Sequence, residues 1–411
     1  EECDSALGDN EGYIVLEEAK YLAQQLEQAG ADLIQVRVGT PGQEISCWAP
    51  DCNHTGIHMD GATGFGTQFN YASHFGGAQD GRHSGAGAFI PLAREIKQVV
   101  SLPVGCAGYM DPRTAPDLIN QAIQNGDVDL VFMNRALVVD PQLPNKLEAG
   151  KRDEIAPCTR CLHCHAKPLG EPEMCRVNAT TQFAYTEEMP EGYALLPAET
   201  PRKVMVIGSG PAGMEAARIA AQRGHQVTLV EKNSALGGML GLVAAYKGPH
   251  ERLGDLKAYL IRQQEIHGVT VVTEKTADLA YIQQEKPDVV LVAAGGQRIS
   301  KLTGNAQVNV MTVDNFSLND VQDSVVILGA NLQAVDIASY LIAQGKQVTM
   351  INPKAKETID IEQSPWVRKF TLAHLYAQGV KIYNQADCQK VTENCVLIMM
   401  NDCGFEKEIT C

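Results

Sequence analysis

Cys158, Cys161, Cys164 and Cys175 follow one another in the spacing C-x2-C-x2-C-x10-C. Four thiolates this close in sequence can close around one centre, and thiolate ligands select zinc or iron–sulfur. Three cysteines at two-residue gaps with a more distant fourth match ferredoxin-type ligation of a [4Fe-4S] cluster. Structural zinc more often uses two separated C-x2-C pairs. A disulfide pair or fortuitous spacing is the bland alternative. His163 and His165 lie beside the run, but four cysteines already complete a ligand set. The rest of the twelve cysteines are scattered and read as packed or free thiols.

A second group of residues suits phosphate. The segment 203–207 reads as a short buried strand, Gly208-Ser209-Gly210-Pro211-Ala212-Gly213 follows it directly, and 214–223 reads as a helix ended by Gly224. The next strand, 226–230, runs into Glu231. This is a G-x-G-x-x-G dinucleotide fingerprint in its proper strand–turn–helix setting. Its glycines allow a tight turn, close approach of backbone to pyrophosphate and close helix packing. The helix N-terminus faces the phosphates, and Glu231 is placed to accept from a ribose hydroxyl. NAD and FAD both use the fingerprint. Gly237-Gly238 soon after the acid, and Ala294-Gly295-Gly296 closing a strand at 288–293, point to FAD in a protein with two dinucleotide units.

The layout then repeats. Residues 324–328 read as a strand, Gly329-Ala330-Asn331-Leu332-Gln333-Ala334 as its turn, a helix runs to about 343, and 347–351 is the next strand. Gly329 is the surviving glycine, Asn331 puts a side chain where pyrophosphate should pass, and Asn352 stands where Glu231 stood. This copy reads either as an NAD(P)H unit or as a vestige that keeps the fold without the ligand.

A third set lies near the start. Residues 16–29 carry apolar residues at helical spacing and stop at Gly30, and 32–38 reads as a buried strand. Helices at 89–99 and 115–124 alternate with strands at 102–106 and 129–133. Helix–strand alternation without hairpin signals means parallel strands, in a doubly wound sheet or a (β/α)8 TIM barrel. The segment Gly105-Cys106-Ala107-Gly108 ends one strand and Asn134-Arg135 the next, which favours the barrel, where loops after late strands build a phosphate site. Ala107, Gly108, Asn134 and Arg135 are the candidates; a tight turn with a solvated arginine is the alternative. His54 and His58 lie in the glycine-rich stretch 40–87, where a covering loop could bring a proton donor to bound substrate.

The elements holding these residues come from a chain of 411 residues, 45% hydrophobic and 20% charged, an ordinary globular balance that suits two to three domains. The formal charge of −15 argues against nucleic acid and anionic lipid as partners. No apolar run is long enough to span a membrane, the first residues are not a signal peptide, and cysteine usage suggests a reducing, cytoplasmic setting. Both ends read as cut, with no initiator Met and a strand-like 406–411 at the close. Self-association is left open.

The order of motifs resembles the family of 2,4-dienoyl-CoA reductase, trimethylamine dehydrogenase and the enoate reductases: iron–sulfur flavoenzymes with an old yellow enzyme-like NADH:flavin oxidoreductase barrel. Glu17-Glu18, Gly30-Ala31-Asp32, Asn134-Arg135 followed by Asp140-Pro141, and Cys175-Arg176-Val177-Asn178 carry it alongside the motifs above. The resemblance implies an α/β chain in four parts: the C-terminal half of an FMN-binding TIM barrel (1–150), an iron–sulfur segment and linker (151–200), an FAD-binding Rossmann domain (201–300) and an NAD(P)H-binding-like Rossmann domain (301–411). It implies that electrons pass from NAD(P)H via FAD and [4Fe-4S] to FMN, and that an activated C=C bond of a small unsaturated carbonyl compound is reduced. The main catalytic acid is then expected outside these residues. The alternatives are an amine dehydrogenase of the trimethylamine dehydrogenase type and a non-catalytic electron-transfer subunit.

Overall fold

A computed structural model describes residues 16–37, 87–165 and 174–410, short gaps aside. The chain divides into two compact units: residues 1–141, 160–171 and 361–379 form the first, and 142–159, 172–360 and 380–411 the second.

In the first unit, helices and strands alternate as α1 (Leu16–Gln28), β1 (Ile34–Val36), α2 (Ile90–Lys97), β2 (Val104–Cys106), α3 (Pro116–Gln124), β3 (Leu130–Val131) and α4 (Arg135–Val139). The strands pair in parallel in the order β1-β2-β3, Ile34 opposite Val104 and Gly105 opposite Leu130. The alternation is therefore as read, but the strands are shorter than the apolar runs, because only a few residues of each run find a partner. Gly30 ends α1 with φ +92, and the amide of Ala31 returns to the Leu26 carbonyl. Leu92, Ala93, Ile96, Val104, Cys106, Ile119 and Val128 form the core between helices and sheet. The Asp129 carboxylate ties it off, accepting from Val104 N at 2.7 Å and pairing with Lys97 at 2.7 Å.

The second unit begins with α5 (Leu143–Glu148) and then builds a four-stranded parallel sheet, order β6-β5-β4-β7, from β4 (Lys203–Ile207), β5 (Gln226–Val230), β6 (Thr270–Val272) and β7 (Val289–Val292). Helices α6 (Pro211–Gln222), α7 (Leu240–Lys247), α8 (Leu253–Ile266) and α9 (Leu279–Glu285) connect these strands. Met214, Ala217, Val206 and Leu229 are almost fully enclosed in its core.

A second parallel sheet, order β10-β9-β8, repeats the plan with β8 (Ser324–Leu328), α10 (Leu332–Ala343), β9 (Gln347–Asn352) and β10 (Lys381–Asn384). Ser324 opposes Gln347 as Lys203 opposes Gln226, so the internal repeat is exact in register. The helix α11 (Pro365–Ala377) lies between β9 and β10 in sequence and belongs to the first unit. An antiparallel sheet follows, β11 (Ala386–Val391), β12 (Cys395–Met400) and β13 (Phe405–Thr410), with a bulge between Cys388 and Lys390. Sequence reading found only the last of these three strands. Among the described residues no helix is long and apolar enough to cross a membrane.

Candidate cofactor-binding sites

The three glycines of the first turn serve three different ends. Gly208 follows β4 with φ +99, and a Cβ there would meet the Ala293 carbonyl oxygen at 2.5 Å. Its amide donates to the Val230 carbonyl at 2.8 Å, which locks the turn onto the end of β5. Gly213, in the first turn of α6, packs against that same turn: a Cβ would lie 1.8 Å from the Gly208 carbonyl oxygen. Gly210 is different. It caps α6 with φ −65 and ψ 177, no side chain caps the helix, and a Cβ would meet nothing within 4 Å. Two glycines are thus demanded by packing, while Gly210 keeps the space before the helix N-terminus clear for an anion.

Glu231 sits at the end of β5, 6% exposed. Its Oε2 accepts from Ser209 N at 2.9 Å and Ser209 Oγ at 2.7 Å, and its Oε1 from Asn233 N and Nδ2, each at 2.9 Å. Burial pushes the carboxyl up, but these four donors outweigh it and hold the group below its ordinary range. Gly237 N donates to the Ser209 carbonyl at 3.0 Å, and a Cβ on Gly238 would lie 3.0 Å from the Gly210 Cα. Folding therefore gathers Gly208, Gly210, Gly213, Glu231, Gly237 and Gly238 around one turn. A clear helix end beside an anionic ribose acceptor fits the adenosine and pyrophosphate of FAD. Ser209 and Asn233 were missed as supports of Glu231, although both lie within the motif.

The second turn keeps the backbone and changes the side chains. Gly329 has φ +122 and donates to the Ile351 carbonyl at 2.9 Å, as Gly208 does to Val230. Asn331 has φ −76 and ψ 177, the conformation of Gly210. Its side chain does not simply stand in the way, as the sequence suggested: Oδ1 accepts from Ala334 N at 3.1 Å and caps α10. A cavity of about 590 Å³ runs along β8 from Ser324 to Leu328, with Arg298, Phe316, Asn331 and Val396 also among its walls. Arg298 donates to Gln333 Oε1 at 2.9 Å and pairs with Asp314. The turn and the helix end fit a second dinucleotide.

Lys247, on α7, is buried between Glu251 at 2.6 Å and Asp336 of α10 at 2.8 Å. Lys247 is the last residue of α7 and Glu251 lies between α7 and α8, so this pairing, like the tie to Asp336, needs the fold.

In the first unit, Ala107 and Gly108 follow β2, and Asn134 and Arg135 follow the adjacent parallel β3, so all four leave the sheet at the same edge. Gly108 has φ +96, and Gly87 N donates to its carbonyl at 3.0 Å. Asn134 is the N-cap residue of α4 and Arg135, half-buried, its first residue. Backbone and guanidinium at one sheet edge suit a phosphate such as that of FMN.

Of the cluster cysteines, Cys158 and Cys175 belong to the second unit and Cys161 and Cys164 to the first. All four are thiols, not disulfides. Among the described residues no group of three His, Cys, Asp or Glu is gathered to hold a metal ion. Cys175 Sγ accepts from Val177 N at 3.4 Å and Asn178 N at 3.3 Å, the polarisation that stabilises a ligating thiolate. In donor type the four residues fit an iron–sulfur cluster. His54 and His58 lie outside the described residues.

Residues 193–408, the whole of the repeated Rossmann region, match the family described as pyridine nucleotide-disulphide oxidoreductase. The chain belongs to that family. It is 29% identical over 391 residues to bilirubin reductase of Mediterraneibacter gnavus, covering 94% of this chain and 54% of the relative. It is 34% identical over 269 residues to cinnamate reductase of Clostridium sporogenes, covering 64% and 39%. A solved 2-naphthoyl-CoA reductase complex superposes with TM-score 0.77 at 26% identity, over 96% of this chain and 54% of that one. The first relatives are thus matched over about half their length. The family resemblance carried by the cysteine and glycine motifs holds, and its relatives bear the names of reductases, an NADH oxidase and amine dehydrogenases.

Proposed function

We propose that this chain is the electron-feeding part of an iron–sulfur flavoenzyme that reduces an activated C=C bond at the expense of NAD(P)H. One observation carries the reading: two glycine turns in the same register, of which the first keeps a clear helix end beside a buried, four-donor Glu231. Two dinucleotide units in series suit a route from a nicotinamide to a flavin. Reductase names among relatives that span nearly all of this chain support the direction of electron flow.

The residues divide the work. Gly208, Gly210, Gly213 and Glu231 hold the adenosine half of FAD, with Gly237 and Gly238 against the same turn. Gly329 and the α10 end receive NAD(P)H. Cys158, Cys161, Cys164 and Cys175 ligate [4Fe-4S], with Val177 N and Asn178 N directed at the Cys175 sulfur. Ala107, Gly108, Asn134 and Arg135 hold the FMN phosphate of a TIM-barrel half. When bound, these groups supply hydride and single-electron chemistry between nicotinamide and alkene.

The test is an anaerobic preparation of the full-length protein, assayed for iron and both flavins, then for NAD(P)H oxidation against cinnamate, an enone, an enoyl-CoA and trimethylamine. About four irons per chain and alkene-dependent oxidation are expected. Stoichiometric zinc without iron, or turnover of the amine alone, overturns the reading.

A further inference from the structure

We propose that the second nucleotide unit selects a 2′-phosphorylated nucleotide, NADPH over NADH, and that Lys354 is the residue that selects it; this rests on reading the unit as a nicotinamide nucleotide site.

A carboxylate at the end of the second strand accepts from a ribose 2′-hydroxyl and repels a phosphate on that oxygen, whereas a nearby cation welcomes the phosphate. The first unit has the carboxylate, Glu231, and suits an adenosine without a 2′-phosphate. At the matching end of β9 stands Asn352, 4% exposed and neutral. Its amide is already committed: Nδ2 donates to the Ala355 carbonyl at 3.2 Å and Asn384 Oδ1 at 2.9 Å, while Oδ1 accepts from Lys354 N at 3.1 Å. Asn352 thus removes the repulsion and offers no charge in its place.

The cation is two residues on. In the first unit Asn233 N donates to Glu231 Oε1 at 2.9 Å, and Lys354 N donates to Asn352 Oδ1 in the same way. Lys354 therefore occupies the position of Asn233, beside the ribose end of the site. Its carbonyl also accepts from Gln385 N at 2.9 Å, so its backbone is held from two sides. Its side chain is exposed, as is that of Lys356, and neither lysine forms an ion pair among the described residues. Glu357 is the loop's exposed acid and Asp360 is buried, leaving the two lysines as the charges nearest the ribose end in sequence. An ammonium ion on a short, backbone-anchored loop is a ready phosphate partner.

The experiment uses full-length protein with its flavins bound, so that the first site is filled. Calorimetric titration with 2′,5′-ADP and with 5′-AMP compares the two nucleotides without reduction. The 2′-phosphate should tighten binding by about tenfold or more, the worth of one charge-assisted bond. Lys354→Ala should remove most of that preference and leave 5′-AMP affinity and flavin content unchanged. Lys356→Ala measures any share carried by the second lysine. Equal affinity for both nucleotides, tighter 5′-AMP, or an undiminished preference in Lys354→Ala overturns the proposal while leaving the nucleotide site intact. Binding of neither nucleotide overturns both the proposal and the reading it rests on.

Discussion

Gly210 and Gly213 differ by three residues, and the structure predicts very unequal stability consequences for giving each a methyl group. At Gly213 the new Cβ would lie 1.8 Å from the Gly208 carbonyl oxygen, far inside the 3.0 Å that real Cβ atoms respect. The obstacle is backbone, so no side chain can swing aside. Helix α6 cannot retreat freely either: Met214 and Ala217 are fully enclosed, and Gln264 Nε2 holds the Met214 carbonyl at 2.9 Å. Gly213→Ala should therefore cost about 3 kcal/mol of stability, the upper range for overpacking. By distorting the turn it should also weaken FAD binding roughly 100-fold. At Gly210 the new Cβ meets nothing within 4 Å, and φ −65 suits alanine. Gly210→Ala should cost only about 0.5–1 kcal/mol, for a poorer helix cap. Its methyl group would nonetheless stand where pyrophosphate approaches, so FAD affinity should fall at least about tenfold. Denaturant unfolding of the flavin-free proteins measures the first quantity, and fluorescence titration with FAD the second. Gly210→Ala with undiminished FAD affinity would refute the placement of the cofactor on this turn; Gly213→Ala with unchanged stability would refute the packing argument.

Lys247→Met should destabilise the second unit by about 3–5 kcal/mol, because Glu251 and Asp336 would remain buried without their cation; thermal or urea unfolding checks it. Glu231 is held below its usual 4.5 despite burial, so its stabilising share is present above that value and is lost as pH falls through the lowered one. The stability difference between the native protein and Glu231→Gln should accordingly shrink on acidification below about pH 4.5, and a constant difference would contradict the hydrogen-bond account. Burial pushes the Cys106 thiol up to about 12, so at pH 8 iodoacetamide should label the exposed Cys403 well before it, as mass mapping of the alkylated peptides can show.

Much of this protein is legible in the chain because the relevant interactions are local. A glycine turn between a strand and a helix, ended by an acid on the next strand, spans Gly208 to Glu231, and its conformation follows from sterics and helix ends. The same locality exposes the repeat at Gly329, and it let Asn331 and Asn352 be singled out as departures. What those departures do was not legible. Asn331 could be an obstacle or a cap, and only the placement of Ala334 N decides for the cap. Asn352 reads as an available amide until Asn384, from a different strand, takes its donor. Of the antiparallel β11–β13 sheet only the last strand was read; in β11 the bulge between Cys388 and Lys390 breaks the alternation that would have announced it. The burial of Lys247 was equally hidden: it ends α7 and its partner Glu251 lies beyond the helix, so no helical spacing announces the pair. It is the packing of α10, carrying Asp336 from 89 residues away, that makes the group an enclosed ion network. Sequence thus determined which backbone conformations and which chemistry-bearing residues were available; the long-range packing decided which polar groups were already satisfied and which were left to meet a ligand.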